Sequence, residues 1–164
     1  MTKWRSLSIA IVFGVGIAGL WSASNRFGPI GQAAAQTDPS AESLAGILAQ
    51  GNDVYVTKCA SCHGAKLEGQ PDWKRRLANG RMPAPPHDIT GHTWHHSDQD
   101  LFRIVKEGVS AIVGNGYESD MLAFGPVLND DQIRATLAYI ESTWPDRQRA
   151  AQHALTVAAA AAMP

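Results

Sequence analysis

KCASCHGAKLEG, Lys58 to Gly69, holds both cysteines of a 164-residue chain, Cys59 and Cys62, with His63 directly behind them. Two thiols at this spacing suit four chemistries: a disulfide, half a zinc site, a redox dithiol, or covalent attachment of a cofactor. A disulfide here closes a very small loop and constrains little of the unfolded chain. A structural zinc takes four ligands, usually from two such pairs, and the chain has no second pair. A thioredoxin-type dithiol opens a helix after a strand. Here the preceding residues are helical in pattern instead, with Leu44, Ile47, Leu48 and Tyr55 on one stripe from Ala41 onward and Val54 at its border. Gly51 weakens the middle of that helix by roughly 1 kcal/mol relative to alanine.

What remains is C-x-x-C-H, the signature of c-type haem attachment. Two thiols one helical turn apart can each form a thioether to a haem vinyl group, and the next residue, His63, is then placed under the iron. Gly64, with no side chain, lets the backbone turn away beside the porphyrin. The expected cofactor is one covalent haem c with its iron.

The downstream pattern agrees, because it contains too little core for its length. Residues 64–96 are rich in proline and turn formers and read as a long irregular segment, with a short helix expected near Trp73 to Ala78. A loop of this length inside a compact domain is usually functional or wrapped around something. Ser97 caps a cleaner helix, with Asp98 and Asp100 at its positive end, Leu101, Ile104 and Val105 as its apolar face, and Gly108 as its stop. A second loop, 114–128, leads to Asn129 and Gln132, a variant capping box, and then to a helix with Ile133, Leu137 and Ile140 on one face, ending near Trp144-Pro145. The alanine-rich residues 146–164 read as a helical or frayed tail. No strand and no internal repeat is evident. An all-α fold of three or four helices and long loops follows, with a large apolar disc as the missing centre.

The N-terminus reads differently. Lys3 and Arg5 precede an apolar run from Leu7 to Trp21, the pattern of an export signal, and counting on to Ser24 it is almost long enough to span a bilayer. The run is apolar on all faces, which argues against an ordinary buried helix. Either a cleaved signal or a retained N-terminal hydrophobic anchor helix is expected, and both send the rest of the chain out of the cytoplasm. Residues 1–35 are thus signal or anchor with linker, 36–145 the haem domain and 146–164 the tail. The first 35 residues carry Lys3, Arg5 and Arg26 and no acid, so the remainder holds 14 − 3 = 11 basic against 15 acidic residues. No basic patch points to nucleic acid.

For the second axial position the candidates are Met82, Met121, Met163 and the histidines at 87, 92, 95, 96 and 153. Met121 lies in a loop just before the capped helix, which can carry its thioether to the face opposite His63.

Taken together, Cys59-Ala60-Ser61-Cys62-His63-Gly64, Met121-Leu122-Ala123-Phe124-Gly125 and the closing helix with Tyr139-Ile140 resemble a class I cytochrome c, over roughly Ala41 to Trp144. The resemblance implies His63/Met121 ligation of the iron, a single covalent haem and one-electron transfer rather than catalysis. Members commonly read Met-Pro at this ligand, whereas Leu122 follows Met121 here. The loop Met82-Pro83-Ala84-Pro85-Pro86-His87-Asp88 through His92-Thr93-Trp94-His95-His96 also resembles a subgroup of bacterial members. In it a carbonyl near Pro85 or Pro86 can accept the His63 Nδ1–H. Trp73, Trp94 and Phe124 are candidate pocket residues, the tryptophans as donors to haem propionates. His87, His92, His95 and His96 invite a second reading as a copper site. The partner expected is a membrane or periplasmic redox enzyme, with membrane association possible through residues 7–24. The alternatives are a five-coordinate haem sensor or enzyme subunit, and a copper-handling protein.

Overall fold

A run of helix leads directly into the cysteine motif. In the computed structural model, which describes residues 39–162, α1 (Pro39–Val54) passes into one π-helical turn (Tyr55–Cys59) and then α2 (Ala60–His63). The run stops at Gly64, whose φ of 84° is open to glycine at no steric cost and whose N–H closes the last turn on Ala60 O at 2.9 Å. After a long loop come a 3-10 turn (Thr93–His95), α3 (Asp98–Glu107), the short α4 (Val109–Val113), α5 (Asp130–Ser142) and α6 (Asp146–Ala161). Four of these helices have ten or more residues, and no strand occurs among the described residues. The all-α expectation holds. The apolar run at residues 7–24, the linker and the signal-or-anchor reading lie outside the described residues, and no described helix is long and apolar enough to cross a membrane.

The central contact is α1 against α5, and Gly51 explains its closeness. A Cβ at Gly51 would fall on the Ala135 carbonyl, 2.6 Å from its carbon, and 2.8 Å from the Tyr139 Cβ. The glycine that weakens the helix locally is what lets the two backbones meet. Val54, Leu128 and Ile133 form one buried cluster beside this crossing, with Phe102, Val105, Phe124 and Leu137 packed on it. Tyr55, Leu67, Ile140 and Trp144 form another, bordered by Cys59, Ala60, Trp94 and Tyr139. The core is therefore two small clusters, one of them built around the attachment helix itself.

The expected caps are present. Ser97 accepts the Asp100 N–H at 3.2 Å, and Asn129 and Gln132 exchange side-chain-to-backbone bonds at 2.9 and 3.0 Å in a capping box. One expectation needs correction and two are sharpened. The helix near Trp73 to Ala78 is absent: Leu77 N–H bonds forward to Arg81 O at 2.8 Å rather than back to Trp73, and the chain makes turns instead. The stripe on α1 is buried only from its middle onward; Leu44 is 54% and Ile47 43% exposed, because the crossing with α5 sits at Gly51. The alanine-rich tail forms a well-anchored helix through Asp146–Ala161. Gln152, 2% exposed, donates from Nε2 to Asp98 Oδ1 at 2.5 Å and to His96 O at 3.3 Å.

Candidate haem site

The attachment helix presents its three functional side chains within one turn. Cys59 is partly buried against the Tyr55 cluster, Cys62 is exposed, and both are free thiols. Burial, assisted by the neighbouring Cys62, pushes the Cys59 thiol up to about 11.

His63 is buried, and its Nδ1 lies 2.9 Å from Pro85 O. A carbonyl oxygen only accepts, so Nδ1 carries the proton and Nε2 keeps its lone pair. Burial pushes the imidazole below its ordinary value, with the Pro85 bond opposing. A neutral ring with a free Nε2 lone pair is the form that ligates iron. The sequence left Pro85 and Pro86 as equal candidates; the structure selects Pro85. Pro86 instead wedges between glycines: a Cβ on Gly69 would lie 2.7 Å from the Pro85 carbonyl carbon and 2.8 Å from the Pro86 Cδ.

The loop that delivers Pro85 is pinned to the attachment helix by backbone bonds, Gly69 N to His63 O at 2.7 Å, Gln70 N to Ala84 O at 2.9 Å and His87 N to Leu67 O at 2.8 Å. Tyr55, fully buried, reaches from inside the same run to donate its hydroxyl to Gly64 O at 2.7 Å. Sequence reasoning missed this second brace. Its only signal was an aromatic at the core end of the stripe.

Met121 is partly buried in the loop before α5. Its N–H donates to Ser119 Oγ at 3.1 Å. Beyond it, Phe124 N and Gly125 N each bond at 3.0 Å to Val105 O and Lys106 O at the end of α3. On the other side, Arg81 pairs with Asp120 and with Glu118, tying the Met121 loop to the Met82 loop. The thioether thus sits on a segment held at both ends without proline. Phe124 packs into the Val54 cluster.

The four candidate histidines of a copper site are not brought together. His87 stacks on His63, His95 stacks on Trp94, and His92 stacks on Trp73, with Lys74 over the Trp73 ring. Only His92 and His96 approach each other, edge to face at 5.4 Å between ring centroids. Among the described residues no group of three or more His, Cys, Asp or Glu side chains is placed to hold a metal ion. His87, His92 and His95 each have an aromatic partner outside the group instead.

The residues present fit a covalent haem. Two free thiols precede a histidine whose Nε2 is available for iron. Trp94 supplies a further observation: its indole Nε1–H is buried with no hydrogen-bond acceptor among the described residues. Buried donors are rarely left orphaned, and a haem propionate is an acceptor of the right chemistry. No curated protein and no solved structure matches the chain. A family model described as Cytochrome c matches residues 48–144, which runs from within α1, through the attachment motif and the Met121 loop, to the end of the α5 segment. The chain belongs to the cytochrome c family, haem-binding electron carriers with a covalently attached c-type haem.

Proposed function

We propose that this protein is an extracytoplasmic one-electron carrier whose iron is ligated by His63 and Met121. The observation that carries the reading is the His63 geometry: a buried neutral ring, fixed by Pro85 O through Nδ1, with Nε2 left as donor. When bound, the haem supplies a one-electron iron couple, with a potential raised by a thioether ligand relative to a second imidazole. Cys59 and Cys62 would tether the group, His63 Nε2 and Met121 Sδ would ligate its iron, and Trp94 Nε1 would hydrogen-bond a propionate. With both iron ligands supplied by the protein, a substrate would find no open position, which suits electron transfer and not catalysis. The basic start and apolar run of residues 3–21 support export, and the partner is a membrane or periplasmic redox enzyme met through a small transient interface.

The test is the spectrum of the oxidised holoprotein. His/Met ligation gives a low-spin c-type haem with a weak long-wavelength methionine–iron band, and Met121→Ala abolishes that band while leaving the haem attached. Survival of the band in Met121→Ala overturns the assignment.

A further inference from the structure

Resting on the reading of His63 as an iron ligand, we infer that His87 is a positioning residue for it, its imidazole stacked on the His63 ring to fix that ring's plane. The two rings lie 4.0 Å apart between centroids and 23° from parallel. The Pro85 bond holds His63 at Nδ1, off the Cβ–Cγ axis, and so restrains the ring's rotation; packing narrows the range that one hydrogen bond leaves. A flat partner at van der Waals distance blocks that rotation, because tilting the ring drives one edge into its neighbour.

His87 is itself fixed at every polar group but one. Its backbone N–H donates to Leu67 O at 2.8 Å, and its carbonyl accepts Trp144 Nε1–H at 2.7 Å. Its Nδ1 is paired with the hydroxyl of buried Thr93 at 2.8 Å, and Tyr55 meets it edge-on at 6.3 Å between centroids. An aliphatic side chain fills the same space without a flat face and without the bond that sets the ring angle. The chain thus has two supports for His63: a carbonyl that sets the tautomer and anchors Nδ1, and a stacked ring that narrows the plane.

The plane of an axial imidazole decides how unpaired electron density is shared among the haem methyl groups in the ferric state, so proton NMR of the ferric holoprotein reads it directly. The comparison uses wild type, His87→Ala, His87→Phe, His87→Leu and Thr93→Val, with the reduction potential measured on each. His87→Ala is expected to change the order or spread of the hyperfine-shifted methyl resonances. Thr93→Val gives a smaller displacement in the Ala direction, and His87→Phe, which keeps a flat face but loses the same Thr93 bond, is displaced no further than Thr93→Val. A folded His87→Ala protein with the wild-type methyl pattern and potential overturns the inference. Should His87→Ala fail to accumulate, the Phe and Leu variants decide: Leu displaced further than Phe supports the stack, identical patterns overturn it. A wild-type spectrum without hyperfine-shifted histidine ring protons overturns the ligand reading and the inference together. With those protons present, indifference to residue 87 overturns the inference alone.

Discussion

Gly46 and Gly51 lie on the same helix, and replacing each by alanine should change stability in opposite directions. Intrinsic propensity alone favours both substitutions, by about 1 kcal/mol each. At Gly46 a Cβ meets nothing within 4 Å, so the propensity gain stands and Gly46→Ala should stabilise by about 0.5–1 kcal/mol. At Gly51 the new methyl falls 2.6 Å from the Ala135 carbonyl carbon and 2.8 Å from the Tyr139 Cβ. Neither atom can rotate aside, since one is backbone and the other is fixed by it. The Ala135 carbonyl oxygen is nearer still, so reaching ordinary contact of about 3.5 Å requires α1 and α5 to part by more than an ångström, loosening the Val54 and Ile133 packing beside the crossing. Overpacking of this kind costs about 3 kcal/mol at the severe end of its usual range. Offset by the propensity gain, Gly51→Ala should destabilise by about 2 kcal/mol. Urea unfolding of both holoproteins, followed by helical circular dichroism, measures the two midpoints. A Gly51→Ala protein as stable as wild type would refute the claim that this glycine exists for the helix crossing.

Asn129→Ala removes one half of the α5 capping box and should cost about 1 kcal/mol by the same urea assay, while Asn129→Asp should recover most of it. Gln152→Ala strips the buried donor that ties α6 to Asp98 and His96; it should cost about 1–3 kcal/mol, and limited proteolysis should cut α6 first. Glu141 has its carboxyl raised above 4.5 by partial burial and then by Asp98. The folded state therefore holds that proton more tightly than the unfolded state, so the residue's contribution is most favourable below pH 4.5 and declines as pH rises through the raised folded value. Glu141→Gln should accordingly stabilise the protein at neutral pH and lose that advantage in acid; a gain independent of pH would contradict the assignment.

Local chemistry was legible in the residues, and tertiary placement was not. Ser97, Gly108 and the Asn129–Gln132 pair announce their helix ends because each cap is closed within a few residues. The C-x-x-C-H motif is legible for the same reason. The choice between Pro85 and Pro86 was not, since it depends on where a loop of some twenty residues lands relative to His63. His87 could be read only as one of four clustered histidines, because its partner stands 24 positions away and its stack leaves no trace in spacing. The anchored α6 was hidden by composition: its fixed point is a glutamine among alanines, with no apolar stripe to signal burial. The false helix at Trp73 came from residues that favour a helix locally, whereas the Leu77 N–H is taken by Arg81 O in the turn that follows.

Addition of carbon monoxide to the reduced holoprotein tests most directly the claim that the protein's own side chains close both faces of the iron. If His63 and Met121 are both ligands, the ferrous spectrum at neutral pH is unchanged by carbon monoxide in wild type and converts to a carbonyl form in Met121→Ala. Immediate conversion of the wild-type protein would mean an open coordination position, and would replace the electron carrier with a ligand-binding haem protein.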